Sequence, residues 1–201
     1  LNGKTAYLTN YDNGDTIDSA VVSNMSVAFK GTVEDSYFSR MIVDGKRMGF
    51  VVEPGDISII WADGKATGTK LNEELNKSDE ELTKIESEYG TLQEQLDKGA
   101  INKDQFDAKS AAVDKKESGY FQELYKRNKD NGIGPWAFNY YLMSNDFSVA
   151  KIDSLLAELP DSYKTLKRVN KAKSDAKQKE LTTVGKKFTD FAIRTESGKT
   201  E

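Results

Sequence analysis

Residues 68–97 read GTKLNEELNKSDEELTKIESEYGTLQEQLD, and the hydrophobic period of the chain changes within this stretch. Before it, short apolar runs are separated by turn residues. From Leu71 onward the apolar residues recur at steps of three, four and seven, which places them on one stripe of a long helix. They are Leu71, Leu75, Leu82, Ile85, Tyr89, Leu92 and Leu96. The sequence therefore predicts an α+β protein, with a β region over residues 1–69 and a helical region over residues 70–183.

Turn signals divide residues 1–69 into six or seven short strands, one of them over residues 26–31. Asn13 and Gly14 form the dipeptide favoured in type I′ hairpins, and Pro54 followed by Gly55 has the signature of a type II turn. Short strands at a spacing of about 8–12 residues are typical of antiparallel sandwiches. We therefore expect an N-terminal antiparallel β-sandwich.

The helical region begins with a long αα-hairpin over about residues 71–127. Gly99 interrupts the apolar stripe, and Asn102 with Gln105 three residues later has the pattern of a capping box for a second helix. Further helices are predicted over about residues 135–181: one starting at Pro135 and apolar nearly all round, one over about residues 148–159, and one over about residues 161–181.

The composition excludes several kinds of chemistry. The 201 residues include no cysteine and no histidine, so the chain has no thiolate nucleophile, no imidazole base and no Cys/His metal cage. We predict no catalytic, cofactor-binding or metal-binding residues. A net charge of -4 gives no support to nucleic-acid binding, and no run of about 18 apolar residues is present to span a membrane. A carboxylate-based hydrolase is the one enzymatic alternative, but no spacing in the sequence requires two acids to face each other.

Two groups of residues are candidates for binding a partner. Trp136, Tyr140 and Tyr141, followed by Met143, could line a groove, although aromatics at helical spacing are more often core residues. Glu53 and Asp56 flank the predicted turn at Pro54 and could form a docking point or an acid/base pair, although carboxylates beside such a turn are ordinary turn chemistry.

Two charge features have a plain structural interpretation beside a functional one. Asp12, Asp15 and Asp18 surround Asn13 and Gly14, but they lack the ligand spacing of a calcium loop, which favours a hairpin turn. Residues 71–97 hold nine acids against two bases, and residues 164–187 hold nine bases against two acids. These stretches could attract each other, steer a partner, or simply be two solvated faces.

Several short stretches, in their order along the chain, resemble a known bacterial family. Residues 3–9 (GKTAYLT), 50–57 (FVVEPGDI) and 68–72 (GTKLN) resemble an N-terminal domain of unknown function found ahead of thioredoxin-like thiol:disulfide oxidoreductases. Residues 16–20 (TIDSA), 29–31 (FKG) and 128–134 (NKDNGIG) follow the same pattern. Residues 184–193 (VGKKFTDFAI), with Gly198 and Lys199, are similar to the opening strand of a thioredoxin-like domain of the alkyl hydroperoxide reductase and thiol-specific antioxidant type.

The resemblance implies a non-catalytic accessory domain that positions an exported thiol:disulfide oxidoreductase and contributes to recognition of its partner or substrate protein. It implies that residues 184–201 are the orphaned first strand of a thioredoxin-like domain, the chain's own partner, whose Cys-x-x-Cys pair lies beyond Glu201. It further implies a strand missing before Leu1, a periplasmic or envelope location with a lipid anchor, and a role in cell redox homeostasis. The alternative function is a free-standing envelope module that binds a protein or glycan.

Overall fold

The structure, a computed structural model, describes residues 1–182 as an antiparallel β region followed by helices. The α+β class is thereby confirmed, and the segment predicted as an orphan strand, residues 184–201, lies outside the described residues. Four strands form one sheet in the order β2-β1-β3-β4, and two more form a small second sheet. The strands are β1 Thr5–Asn10, β2 Thr16–Val21, β3 Tyr37–Val43, β4 Lys46–Val52, β5 Ser58–Ile60 and β6 Lys65–Thr67.

The four-stranded sheet buries a different cluster on each of its faces. Leu8 pairs with Met41, which pairs with Met48, so these side chains share one side, which we call the groove face. The small sheet β5-β6 packs on that side, so the two layers of the predicted sandwich are unequal in size. The opposite side, the helix face, carries Phe38 and Val51, which pack against the helices.

Two of the expected β features are wrong. Asn13 and Gly14 do not form a type I′ turn, because only Gly14 has a positive φ, 77°, and Asn10 closes a longer loop by accepting the Gly14 N–H at 3.0 Å. The two positive-φ residues of a type I′ turn are instead Asp44 and Gly45, at 52° and 77°.

The predicted strand over residues 26–31 is absent from the described sheets. The chain reverses at Asn24 and Met25, with φ of 50° and 60°, and only an isolated bridge joins Ser23 to Ser26. Residues 27–33 then cross the groove face. There Val27 and Phe29 pack on the cluster that contains Leu8 and Met41, and these residues do not pair with a described strand.

The long helical hairpin forms as expected, and its capping box is present, with the Asn102 side chain accepting from the Gln105 backbone and the Gln105 side chain from Asn102. The third helix starts two residues before Pro135. The helix predicted over residues 161–181 is two helices, because Leu166 is extended, with φ -61° and ψ 129°. The helices are α1 Lys70–Asp97, α2 Lys103–Arg127, α3 Ile133–Met143, α4 Val149–Leu156, α5 Ser162–Thr165 and α6 Lys167–Thr182.

The main hydrophobic core joins the sheet to the helices. Phe38 on β3 stacks on Trp136 of α3 with ring centroids 5.0 Å apart and planes 3° apart, and the Trp136 ring meets Phe121 of α2 edge-on. The strands end at Thr67 and the helices begin at Lys70, but the buried cluster is continuous across this point. The sheet and the helices therefore stabilise each other.

At Val51, the outer edge of β4 is covered by a side chain from α1. The Asn72 amide accepts the Val51 N–H at 3.0 Å and donates to the Val51 carbonyl at 2.7 Å, so it takes the place of a neighbouring strand. Both residues are fully buried, and Thr69 Oγ1 accepts a further bond from the amide at 2.9 Å. The first turn of α1 thus satisfies backbone groups that water cannot reach.

The start of α3 is a close approach that only glycine permits. A Cβ at Gly134 would lie 2.3 Å from the Asn128 carbonyl oxygen and 2.3 Å from the Tyr163 hydroxyl. That hydroxyl is buried and has no hydrogen-bond partner among residues 1–182. Gly134 therefore lets α3 and α5 meet directly.

Candidate binding groove

A large concave surface lies on the groove face, between the four-stranded sheet and the β5-β6 sheet. It has a volume of about 1160 Å³. Leu8, Met41 and Phe50 contribute from the sheet, and Ile57, Ile59 and Trp61 contribute from the opposite side. The segment of residues 25–33 crosses beside them and supplies a further wall. The volume exceeds the roughly 300–1,000 Å³ typical of small-molecule sites, so the groove has room for a large or extended ligand.

The charged residues around the groove are mostly acidic. Asp18, Glu53 and Asp56 line it, against Lys30 from the crossing segment. Asp18, Asp56 and Lys30 are exposed, whereas Glu53 is half-buried. A lining that includes apolar side chains together with a predominantly acidic rim favours a partner that combines apolar groups with positive charge.

Glu53, one of the predicted site residues, has a structural task at the wall of the groove. Its Oε1 atom accepts the backbone N–H of Leu71 at 2.8 Å and that of Asn72 at 3.3 Å. Thr69, at the N-cap position of α1, makes no side-chain capping bond, so a carboxylate from the β region satisfies the helix start instead. The Glu53 charge is therefore partly committed to α1.

Asp56, the second acid of that predicted pair, is exposed on the turn after β4. Its backbone carbonyl approaches Gly68 so closely that a Cβ there would lie 2.3 Å from it, and Gly68 has a φ of 95°. The turn is thus held against the start of α1 by its backbone, while the Asp56 side chain reaches the groove rim. The two carboxylates have different surroundings and do not form a symmetric acid/base pair.

The predicted aromatic surface on α3 is mostly interior. Trp136 and Tyr141 are 8% and 7% exposed and belong to the main core. Tyr140 is half-buried and stacks on Phe121 with ring centroids 5.0 Å apart. Met143, at 71% exposed, is the one member of this group that reaches well into solvent. The structure does not bring these residues to the groove, which lies on the other side of the sheet.

A second carboxylate caps the last described helix, α6. Asp12, in the loop after β1, accepts the N–H of Lys167 at 2.8 Å and that of Arg168 at 3.0 Å with its two carboxylate oxygens. These are the first residues of α6, so Asp12 caps that helix as Glu53 caps α1. The sequence pattern around Asp12 indicated only a turn, because the helix that it caps lies about 155 residues away.

Tyr11 reinforces the same contact. Its ring lies between two guanidinium groups, 4.5 Å from that of Arg40 and 4.1 Å from that of Arg168, and its hydroxyl accepts from Asn139 at 3.0 Å. Burial raises the pKa of Tyr11, with a smaller contribution from Tyr140, while the two arginines act in the opposite direction. The β1-β2 loop and α6 are therefore joined by charge, ring and backbone contacts together.

The acidic helix α1 and the basic helix α6 form ion pairs with different elements. On α1, Glu80 pairs with Lys65 of β6 at 2.8 Å. On α6, Lys173 pairs with Asp153 of α4 at 2.6 Å. Pairs that are this exposed contribute about 0–1 kcal/mol each. The two charged stretches thus form separate surfaces on the described part of the chain.

The described residues provide no obvious site for a metal ion. Within residues 1–182, no three acidic side chains lie close enough together to coordinate one. In the same range, no helix is both long and apolar enough to cross a bilayer.

Comparison with known proteins identifies the first part of the chain only. Residues 1–75 match the model of a family described as Domain of unknown function (DUF4369). No curated protein and no solved structure matches the chain. The family match therefore covers the β region and the first turn of α1.

Proposed function

We propose that this chain is a non-catalytic accessory domain of an exported thioredoxin-like thiol:disulfide oxidoreductase, and that it contributes to recognition of the partner or substrate protein. Three observations support the proposal. The stretches at residues 3–9, 50–57 and 68–72 resemble a domain that precedes such enzymes, and residues 1–75 match a domain family of unknown function. The chain contains no cysteine, so thiol exchange would need a thiolate from another domain.

The observation that carries the recognition role is the groove. It is large, its lining mixes apolar and polar residues, and its rim is predominantly acidic, which suits binding of a protein segment; its acids are not arranged as a catalytic pair. The capping contacts of Glu53 and Asp12 tie the sheet to α1 and α6, so the groove is held at a fixed position relative to the end of the helical region. A catalytic domain placed after this chain would then work on a protein held nearby.

The test uses the full reading frame that contains this chain. We expect a thioredoxin-like domain with a Cys-x-x-Cys pair after residue 201. Removal of residues 1–182 should lower turnover of a disulfide-bonded protein about tenfold or more, because a linked binding module raises the local substrate concentration. Turnover of a small aromatic disulfide should stay unchanged, since that substrate needs no recognition surface.

A groove variant gives a sharper version of this experiment. Ile59 lines the groove, whereas its neighbour Ile60 is 54% exposed and points away from it. Ile59→Glu should reproduce the selective loss on the protein substrate, and Ile60→Glu should not. Equal losses on both substrates, or a reading frame without the Cys-x-x-Cys pair, would contradict the accessory role.

The second candidate function is a free-standing envelope module that binds a protein or a glycan. The groove supports it equally well, because a binding surface needs no attached enzyme. The reading frame separates the two functions: this candidate is favoured where no thioredoxin-like domain follows and the Ile59→Glu variant still loses binding to an envelope component.

A further inference from the structure

The two edges of the four-stranded sheet differ within residues 1–182. At the β4 edge, Asn72 binds both backbone groups of Val51. At the other edge, β2 pairs only with β1 among the described strands. Five of the six residues of β2 are exposed, and Ala20 is half-buried. An exposed strand edge is a template for pairing with another extended chain.

The ladder shows which backbone groups of β2 are directed outward. The Val22 N–H donates to the Lys4 carbonyl and the Val22 carbonyl accepts from Gly3, each at 2.9 Å, so Val22 faces β1. Because antiparallel residues alternate in this respect, Ser19 and Val21 direct their backbone groups to the open side. The Ser19 N–H donates to the Asp18 carboxylate at 2.7 Å, a local bond that an incoming strand can replace.

The open edge adjoins the groove. Ile17, Asp18 and Val22 line the groove from the β2 side, and Asp18 lies opposite Leu8 on the groove face. On the other side of the sheet, Val21 is 62% exposed. A strand added to β2 would therefore place alternate side chains at the groove and the others beside Val21.

The charges at this edge favour a basic segment of a partner protein over a second copy of this chain. Asp15 and Asp18 lie on or next to β2, and Glu53 and Asp56 continue the acidic rim across the groove. A second copy pairing through its own β2 would bring two such acidic sets together over a six-residue strand, which is unfavourable. An extended segment with a lysine or arginine opposite Asp18 would instead be attracted.

We propose that the open edge of β2 and the adjoining groove bind an extended, basic segment of a partner protein by strand addition. The segment places apolar side chains in the groove at alternate positions, with a basic residue opposite Asp18. This inference rests on the proposed function, because it gives the chemistry of the partner that the accessory domain recognises. It also applies to the second candidate when its ligand is a protein.

The test uses the 201-residue chain and a labelled hexapeptide of sequence valine-threonine-lysine-threonine-valine-threonine, with blocked termini, in fluorescence anisotropy. Replacing the lysine of the peptide with glutamate should weaken binding about fivefold or more, because an attractive cross-strand pair becomes repulsive. Methylating the amide nitrogens on the pairing edge of the peptide should weaken binding about tenfold or more, because main-chain hydrogen bonds are lost. Amide exchange at Ser19 and Val21 should slow when the unmodified peptide is bound.

Protein variants provide the matched control. Asp18→Lys should reverse the preference between the lysine and glutamate peptides. Asp63→Lys makes the same charge change in the exposed turn between β5 and β6, outside the groove lining, and should leave the preference intact. Thermal melting by circular dichroism should confirm that both variants are folded.

Three results would overturn the proposal. The methylated peptide could bind as tightly as the unmodified one, Asp18→Lys could leave the charge preference unchanged, or sedimentation could show a dimer of the chain with Ser19 and Val21 protected at the interface. The assay contains no oxidoreductase, so its failure leaves the test of the accessory role intact. If the test of the accessory role fails, a positive result in the peptide assay remains valid.

Discussion

Replacing Asn72 with alanine removes both hydrogen bonds that close the β4 edge. The Val51 N–H and carbonyl, which the amide meets at 3.0 Å and 2.7 Å, would then be buried without partners. Each buried polar group left unsatisfied costs about 1–3 kcal/mol. We expect the free energy of unfolding to fall by about 3 kcal/mol, near the lower part of the summed range, because water can enter part of the space left by the amide.

The measurement is urea unfolding at 25 °C, followed by tryptophan fluorescence and by circular dichroism. With a slope of about 2 kcal/mol per molar urea, the midpoint should fall by about 1.5 M. The melting temperature should fall by about 6–12 °C, since a chain of this size loses about 2–4 °C per kcal/mol. Hydrogen exchange at the Val51 amide should accelerate more than exchange elsewhere in β3 and β4.

Asn76 supplies the matched control, one helical turn further along α1. Its amide makes one bond to the Ala66 carbonyl, at 2.8 Å, and is only half-buried. Asn76→Ala should therefore lose about 1 kcal/mol. The reasoning is refuted when the two alanine variants are equally stable, or when exchange at Val51 is unchanged in Asn72→Ala.

Substitutions at three other places in the fold test separate contacts. Glu53→Ala removes the acceptor at the first backbone N–H groups of α1, so the free energy of unfolding should fall by about 1–2 kcal/mol in urea titrations. Asp79 is exposed as a residue, but partial desolvation of its carboxyl, helped by the charge of Glu86, raises its pKa from 3.8 to about 6. The folded state therefore binds the extra proton, and this group lowers stability as the pH rises through that window. Asp79→Asn should flatten that slope and raise the melting temperature at pH 7. Gly134→Ala should sharply lower the melting temperature, because its Cβ meets a backbone oxygen at 2.3 Å, whereas Tyr163→Phe should stay within about 1 kcal/mol of the parent.

Each of these substitutions has a control. Glu53→Gln keeps an acceptor and should retain part of the lost stability; a loss equal to that of alanine would argue against capping. Glu86→Gln removes the neighbouring charge that helps to raise the pKa of Asp79 and should flatten the pH slope in part; an unchanged slope in both variants would remove the role given to Asp79. For Gly134, a parent-like melting temperature of the alanine variant would show that α3 can shift away from the contact.

Local patterns in the sequence were sufficient for the long helices. Asn102 and Gln105 lie three residues apart, and their capping box depends on nothing else in the chain, so it could be predicted. The break at Leu166 could not be predicted in this way. The helix that follows the break is capped by Asp12, which lies about 155 residues earlier in the chain. Similarly, Asn13 and Gly14 have the right turn chemistry, but Asn10 and the strand register determine the loop that forms.

The binding surface was only partly visible in the sequence. The turn signature at Pro54 makes Glu53 and Asp56 candidate site residues, and both line the groove. Most of the groove comes from strands and loops that meet only in three dimensions, so no short motif marks it. Trp136 and Tyr141 are candidates for a groove in the sequence, but their helical spacing favours the core, and the structure places both of them there.

The contact between Asn72 and β4 also bears on where the chain can be truncated. The family match ends at residue 75, three residues beyond Asn72, so that span includes the helical turn that shields the sheet. A gene fragment ending at codon 69 would encode the strands without Asn72 and leave the Val51 backbone groups of β4 unpaired, so its product should self-associate through β4 into insoluble material. A fragment reaching past codon 75 retains this contact but still exposes Phe38, which packs on Trp136 of α3, so a fragment meant to stay soluble should also include the helices.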